Sequence, residues 1–214
     1  MQKHCFTQRL DAEILEVLEK NFTTRQVPRG TYAYRLYEPF RALFFIQEGS
    51  FKNAVRNEDG QEFIAGFPMA GDVLGLDGCA NGYYGSQAIA LQDSVVCEIP
   101  FQTLKDLSLS YPVLQDSLHR IMSRAIAHNQ RSMLMLGNLP AEERLLAFLH
   151  ELSQQFAARG ISTTDFDLPM TREDIAGYLG LQMETVSRAF TKLHVEGLIN
   201  VHRRHVHIDR VGAA

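Results

Sequence analysis

The sequence has few cysteines and no long apolar run. Its 214 residues contain three cysteines, an odd number that does not make a disulfide framework. No apolar run approaches the ~20 residues that a membrane-spanning helix needs. The chain also does not open with the basic and then apolar segments of a signal peptide. We therefore expect a cytoplasmic protein that does not contact a membrane.

Histidine is missing between positions 22 and 100. A metal-dependent enzyme on a cupin-like barrel would need histidine and glutamate ligands on adjacent strands of this region. This absence argues against that class of protein. We expect a protein that is not an enzyme.

Basic residues do not exceed acidic ones over the whole chain. The formal net charge is −4, which is not typical of a nucleic-acid-binding protein. The charge is unevenly distributed, however, because residues 197–214 carry three arginines and three histidines against one acid, Asp209. Since the local field decides whether a surface contacts phosphate, the net charge does not exclude a nucleic-acid site near the C-terminus.

The first half of the sequence is predicted to be β-rich. Short apolar runs at 42–46, 63–67 and 94–99 are separated by glycines, and Glu58-Asp59-Gly60 is typical of a hairpin turn. Strands at intervals of ~8–12 residues favour an antiparallel barrel or jelly roll. We assign residues 1–110 to this domain.

A long amphipathic helix is predicted over residues 111–136, and Asn138-Leu139-Pro140 should end it. Its apolar positions include several steps of three and four, as a coiled-coil seam requires. We predict that this helix, assigned to residues 111–137, joins two chains in a homodimer. The alternative is a helix that packs only on its own β-rich domain. The candidate dimerisation residues are Leu114, Leu118, Ile121, Met122, Ala125, Ile126 and Met133.

Residues 171–195 are predicted to form two short helices joined by a tight turn. Thr171 is the expected N-cap of the first helix, with Asp174 as an acidic variant of the capping box. Gly180 stands where a helix commonly ends in a left-handed residue. The second helix should run from about 183 to about 195 and bury its apolar side chains at helical spacing. These inward-facing residues are Val186, Phe190 and Leu193.

The opposite face of the second helix offers groups that can read base pairs. Arg188 can pair with the two acceptors of guanine, Glu184 can accept from the cytosine amino group, and Ser187 can bond to phosphate or base. In a helix-turn-helix, the N-terminal half of this helix lies in the major groove. We therefore predict double-stranded DNA as a partner; the alternative is an ordinary domain of amphipathic helices. The candidate DNA-binding residues are Thr171, Gln182, Met183, Glu184, Thr185, Ser187, Arg188, Lys192, Arg203 and Arg204.

Residues 198–208 are predicted to form a hairpin after the second helix, as in a winged helix. The two arginines at its tip could contact phosphate. Its histidines could be metal ligands, but we expect solvated side chains and no metal site, because no cysteine or carboxylate cluster accompanies them. These histidines are His202, His205 and His207. We assign residues 138–214 to the DNA-binding domain.

Several motifs resemble the CRP/FNR family of bacterial transcription regulators. Similarity to the DNA-binding domain of that family rests on LPMTREDIA at 168–176, LGL at 179–181, ETVSR at 184–188 and AEERLLAFL at 141–149. Similarity to the sensor domain of the oxygen-responsive FNR branch rests on AGD at 70–72 and VCEIPF at 96–101.

This resemblance implies an α+β protein with three parts. These are an N-terminal β-roll like that of cyclic-nucleotide-binding domains, a long dimerisation helix and a C-terminal winged helix-turn-helix. It further implies a homodimeric regulator that reads a palindrome of the TTGAT–ATCAA type. Met183 fits the FNR branch, since relatives of the cyclic-AMP receptor carry arginine there. As in an activator, the turn at 56–60 would contact RNA polymerase.

The resemblance does not extend to the residues that hold a cyclic nucleotide. Relatives that bind one use a glutamate for the ribose and an Arg-Ser pair for the phosphate. This sequence has Asp72 and Gly85-Ser86 at those places, and no arginine between 69 and 105. Because an unpaired phosphate inside the domain would be costly, we do not expect cyclic-nucleotide binding.

The cysteines match the oxygen-sensing relatives only in part. Those relatives hold a [4Fe–4S] cluster with four thiolates, whereas Cys97 and Cys5 match two of the positions and Cys79 lies outside the pattern. We do not expect the cluster. A regulator that senses redox state or an iron cofactor through Cys97 with Cys5 or Cys79 is the alternative, and Cys79 is the expected exposed thiol. The effector and the choice between activation and repression stay open.

Overall fold

The computed structural model describes residues 20–57 and 59–208. The chain divides into two compact units, the first reaching His128 and the second starting at Asn129. Cys5 and Glu58 lie outside the described residues. In the described part of the chain, no helix combines the length and the apolar character that a membrane crossing requires.

The first unit is a β-roll of two antiparallel four-stranded sheets, which confirms the predicted β-rich domain. One sheet has the order β1-β8-β3-β6 and the other β2-β7-β4-β5. The strands are β1 (Thr23–Val27), β2 (Tyr32–Tyr34), β3 (Ala42–Glu48), β4 (Phe51–Arg56), β5 (Glu62–Gly66), β6 (Val73–Leu74), β7 (Gln87–Ala90) and β8 (Ser94–Pro100).

Strand β3 is apolar throughout because both of its faces are buried. Phe44 and Ile46 belong to a cluster that joins the two sheets. Leu43 and Phe45, which alternate with them, pack with Leu104 and Leu114 in a second cluster. Since neighbouring side chains of a strand point to opposite faces, a continuous apolar run is the pattern of a strand covered on both sides.

In the described part of the first unit, the strands are accompanied by helices α1 (Gly78–Asn81), α2 (Phe101–Ser110) and α3 (Pro112–Asn138). The long helix predicted over 111–136 is confirmed as α3, which ends two residues later than predicted, within the expected stop at Asn138-Leu139-Pro140. Helix α2 was not predicted, although it follows β8 directly and buries Leu104. The division into two units falls inside α3.

The second unit contains the predicted pair of helices and the predicted hairpin. Its elements are α4 (Ala141–Ala157), β9 (Asp165–Asp167), α5 (Arg172–Leu179), α6 (Met183–Val195), β10 (Ile199–His202) and β11 (His205–Ile208). Strands β10 and β11 form the hairpin, and β9, which was not predicted, extends it to a three-stranded sheet.

Within the second unit, hydrogen bonds connect the C-terminal part of α3 to α5. Arg144 of α4 donates one hydrogen bond to the carbonyl of Leu139 at 2.7 Å and another to the carbonyl of Leu179 at 3.1 Å. The hydroxyls of Ser132 and Tyr178 lie 2.9 Å apart. These bonds fix the position of α5 relative to the second half of α3.

Candidate DNA-binding surface

Helix α5 begins at the predicted cap. The Thr171 hydroxyl accepts a hydrogen bond from the Asp174 amide at 3.0 Å, and the Asp174 carboxylate accepts from the Thr171 amide at 2.9 Å. This capping box satisfies amide groups that the first turn leaves without intrahelical partners. The Thr171 hydroxyl also donates to the Asp174 carboxylate at 2.7 Å, so its proton is used inside the protein.

The turn between α5 and α6 requires a left-handed residue, as predicted. Gly180 has φ +64° and ψ 36°, and its amide donates to the carbonyl of Ala176. The amide of Leu181 donates to the same carbonyl at 3.0 Å. A side chain at position 180 would be strained in this conformation, and the close turn sets the angle at which α6 leaves α5.

Helix α6 separates buried from exposed residues as predicted. Val186, Phe190 and Leu193 are buried, with 3% exposure or less. Of the predicted DNA contacts, Thr185 is half-buried and the others on this helix are exposed. The exposed ones are Gln182, Met183, Glu184, Ser187, Arg188 and Lys192. The side chains of Ser187, Arg188, Thr191, Lys192, Val195 and Glu196 line a shallow open groove along the helix.

The tip of the hairpin carries the two predicted arginines. Arg203 and Arg204 are exposed and form the turn between β10 and β11. Arg203 has φ +56°, a conformation that costs a non-glycine residue ~1–2 kcal/mol. Strained residues of this kind cluster at functional sites.

Arg172 connects this hairpin tip to α5 and was not identified from the sequence. Its guanidinium lies 3.1 Å from the centre of the Phe190 ring, and it donates a hydrogen bond to the carbonyl of Arg203 at 3.4 Å. Burial lowers the pKa of Arg172 to about 10, so the side chain stays charged at neutral pH. The stack joins the positions of α5, α6 and the hairpin.

The sequence interpretation of the hairpin histidines was wrong in one respect. Carboxylates do accompany them, because Asp165 and Asp167 of β9 lie opposite His207 and His205. His207 Nδ1 is 2.7 Å from Asp165 Oδ1, and His205 Nδ1 is 3.1 Å from Asp167 Oδ1. Within the described residues, no group of three or more His, Cys, Asp or Glu side chains is arranged to hold a metal ion.

The predicted dimerisation residues occupy different environments on α3. Leu114 is fully buried in the first unit, and Leu118 and Ile121 are half-buried against the same cluster. Ala125 is half-buried. Met122, Ile126 and Met133 are 38%, 57% and 73% exposed. Leu134, which was not singled out from the sequence, is 65% exposed.

Ser86, one of the positions expected to face a bound nucleotide, is hydrogen-bonded to a carboxylate of its own domain. The Ser86 hydroxyl donates to Asp77 at 2.9 Å and lies 3.4 Å from the Tyr34 hydroxyl. Burial raises the pKa of Tyr34, so this hydroxyl is uncharged. The Asp72 carboxylate accepts from the Met69 amide at 2.9 Å.

Two of the three cysteines lie among the described residues. Cys97 is buried on the face of β8 that packs against the helices, with Leu104 and Leu114. Cys79, expected as the exposed thiol, is half-buried. Burial and the carboxylate of Asp77 raise the pKa of the Cys79 thiol, so its thiolate fraction at neutral pH is lowered. This environment differs from the electropositive one in which reactive cysteines are found.

Comparisons with known proteins agree with this arrangement. Residues 24–111 match the cyclic nucleotide-binding domain family, and residues 143–213 match the Crp-like helix-turn-helix domain family.

Two of the similar proteins are named as regulators. The fumarate and nitrate reduction regulatory protein of Salmonella typhimurium strain LT2 is 39% identical over 98% of this chain and 84% of its own length. The transcriptional regulatory protein btr of Bordetella pertussis is 39% identical over 95% of this chain and 85% of its own.

The solved structure of FixK2 from Bradyrhizobium japonicum aligns with a TM-score of 0.80 and 27% identity, covering 90% of this chain and 99% of that one. The relatives are transcription regulators rather than enzymes, and their similarity spans both units. The chain therefore belongs to the CRP/FNR family of DNA-binding transcription regulators.

Proposed function

We propose that two copies of this chain bind one palindromic DNA site of the TTGAT–ATCAA type. The proposal rests above all on the exposed polar face of α6, which stands beside an arginine-tipped hairpin in a single unit. In a dimer of this kind, each second helix enters one of two successive major grooves, one helical turn (~34 Å) apart.

The proposed base contacts come from the first half of α6. Glu184, Ser187 and Arg188 are exposed at positions i, i+3 and i+4 of the helix, which places them on one face. Arg188 pairs with a guanine and Glu184 reads the opposite strand, while Ser187 supplements them. Gln182, Met183 and Thr185 lie in the same first turns and complete the proposed contact face.

Phosphate contacts are proposed for groups at the edges of this face. Arg203 and Arg204 project from the hairpin tip, and Lys192 stands at the later part of α6. Phosphate contacts of this sort fix the register of a protein on the duplex without reading sequence. Thr171 is left out of this set, because its hydroxyl and its amide both donate to the Asp174 carboxylate.

The proposed dimer contact lies on the exposed part of α3. Met122, Ile126 and Met133, with Asn129, follow the 4-3-4 spacing of a coiled-coil seam. Ala125, Leu118 and Ile121 flank that seam. Leu114 is left out of the contact, because its side chain is already buried in its own protomer.

We also propose a role for each part of the chain and a contact with RNA polymerase. We assign residues 1–110 to sensing, 111–137 to dimerisation and 138–214 to DNA binding. The proposed contact for RNA polymerase is the turn at 56–60, in which residues 56, 57, 59 and 60 are exposed and Arg56 pairs with Glu62 at 3.7 Å. Affinity of the purified polymerase for the DNA-bound protein should fall when Asp59 of this turn is replaced by lysine.

Fluorescence anisotropy tests the DNA-binding proposal. A labelled duplex with TTGAT and ATCAA half-sites one helical turn apart is compared with a scrambled duplex of the same composition. We expect the specific duplex to bind at least about 10³-fold tighter at physiological salt. Equal affinity for the two duplexes would overturn the proposed specificity.

Sedimentation tests the dimer separately. Ile126→Asp should convert the protein to monomers by placing a charge in the seam. Arg131→Asp is the matched control, since it introduces the same residue at an exposed position outside the seam. If both variants remain dimeric, the proposed contact is wrong.

A further inference from the structure

The ammonium group of Lys192 is paired with a carboxylate from another helix of the same unit. Lys192 Nζ lies 3.0 Å from Glu142 Oε1, and the two residues are 50 positions apart in the chain. Their side chains are 55% and 34% exposed. The ion pair therefore stands at the surface, at the edge of the groove along α6 to which Lys192 contributes.

The two helices that carry this pair are held together by a buried core. Leu145 and Leu149 on α4 and Val186 and Phe190 on α6 have exposures of 3% or less, and the two helices pack against each other. Close packing fixes the positions of their backbones. The carboxylate of Glu142 is consequently held within reach of Lys192.

Both partners are charged at neutral pH. The hydrogen bond from Lys192 lowers the pKa of the Glu142 carboxyl, and the same bond raises the pKa of Lys192. Glu142 also lies in the first turn of α4, where the positive end of the helix dipole favours a carboxylate. A second carboxylate, that of Glu196, acts on Lys192 in the same direction.

We propose that Glu142 limits the sequence-independent affinity of the protein for DNA by holding the Lys192 ammonium group. A DNA phosphate can pair with Lys192 only by replacing the Glu142 carboxylate. The free energy of DNA binding therefore gains only the difference between the Lys192–phosphate pair and the Lys192–Glu142 pair. Since such contacts supply most non-specific binding, Glu142 lowers the affinity for every sequence. The inference rests on the proposed function, which places Lys192 beside the DNA backbone.

The variant Glu142→Gln tests this role, with Glu143→Gln as the matched control. Glu143 is an exposed acid in the same first turn of α4, and within the described residues it makes no ion pair. Both variants remove one negative charge from neighbouring positions. A general electrostatic effect would therefore be nearly the same in the two, whereas release of Lys192 would occur only in Glu142→Gln.

We expect Glu142→Gln to bind both specific and scrambled duplexes about two- to fivefold tighter, the range typical of one exposed ion pair. The slope of log affinity against log salt should steepen by about 0.9, the value for one added phosphate contact. For Glu143→Gln we expect less than about a twofold change and no change in slope, because Glu143 holds no cation that the substitution could release to a phosphate and salt screens the remaining effect of one exposed charge. Identical behaviour of the two variants would overturn the proposal.

Lys192→Ala in the Glu142→Gln background separates this inference from the proposed function. In that background the change measures only the contact of Lys192 with DNA, because the Glu142 charge is already gone. We expect affinity and salt slope to return to about the values of the unmodified protein.

If the double variant bound DNA as tightly as Glu142→Gln does, Lys192 would not reach DNA, and the proposed phosphate contact of Lys192 would be wrong. A clear loss, combined with identical Glu142→Gln and Glu143→Gln variants, would overturn the limiting role of Glu142 alone. Circular dichroism of all variants checks that each surface substitution leaves the fold intact.

Discussion

Polar side chains at the candidate ligand sites of the two units differ in whether they are bonded to other residues of the protein. In the β-roll, Tyr34, Ser86 and Asp77 interact with one another. On α6, the side chains of Glu184 and Arg188 make no hydrogen bond or ion pair with any residue that the structure describes. A phosphate approaching Ser86 would meet a carboxylate of the same sign, whereas a base pair approaching α6 would meet groups with open bonding capacity. The exposed face of α6 can therefore bind a ligand without breaking internal contacts, whereas the carboxylate beside Ser86 disfavours an anionic ligand in the β-roll.

Of the variants considered, Arg188→Ala should have the largest effect, which is on the affinity of the exposed face of α6 for DNA. We expect a loss of ~1–3 kcal/mol in binding to the specific duplex, with relaxed sequence preference, because the guanine contact is removed. Binding to scrambled DNA should change little. Anisotropy titrations with both duplexes give the two values, and thermal unfolding should be unchanged since the side chain is exposed. Unaltered discrimination would exclude Arg188 from base reading.

Arg203→Gly should separate the stability of the hairpin from its contact with DNA. Glycine adopts a φ of +56° without the strain that arginine pays, so the free energy of unfolding should rise by up to about 1 kcal/mol. Affinity for specific and scrambled DNA should fall together, because a phosphate contact is lost. Urea unfolding and anisotropy measure the two effects. A less stable variant would mean that the Arg203 side chain itself holds the hairpin.

Asp77→Asn should weaken the contact between Asp77 and Ser86 in the β-roll. The asparagine oxygen can still accept from the Ser86 hydroxyl, but the bond loses its ionised acceptor, so the free energy of unfolding should fall by ~1 kcal/mol or less. The pKa of the Cys79 thiol should fall, since Asp77 helps to raise it, and alkylation of Cys79 by iodoacetamide should become faster at a fixed pH. Asp72→Asn is the control, and an equal gain in alkylation rate there would contradict the role of Asp77.

The smallest effect should be the acid sensitivity of the pairing between β9 and β11. The hydrogen bond from His207 lowers the pKa of Asp165, so the folded protein holds this carboxylate charged to lower pH than the unfolded chain does. Its stabilisation is present above the ordinary pKa of aspartate and is lost as pH falls through the lowered value. The difference in melting temperature between the protein and Asp165→Asn should therefore vanish in acid. A difference that persists there would contradict this pairing.

The sequence predicted the elements that have a strong local pattern. The cap at Thr171, the left-handed Gly180 and the extent of α6 each follow from neighbouring residues. The run at 42–46 was recognised as a strand because apolar residues are continuous there, and burial on both faces explains that continuity.

The missed features depend on residues far apart in the chain. Strand β9 has one apolar residue, Phe166, between two aspartates, and only its pairing with β11 makes it a strand. The stack of Arg172 on Phe190 and the pair of Lys192 with Glu142 join separate helices. Local periodicity carries no information on such pairs. The glycine-rich sequence around Cys79 predicted an exposed thiol, whereas the side chain is half-buried.

The point at which the two units divide has a practical consequence for isolating the DNA-binding part. Ser132 and the buried Met135 lie on α3, after the division at Asn129 and before residue 138. A fragment beginning at 138 would remove the partner of the Tyr178 hydroxyl and uncover the surface on which Met135 packs. A fragment beginning at Asn129 would keep both, and we expect this longer fragment to fold on its own.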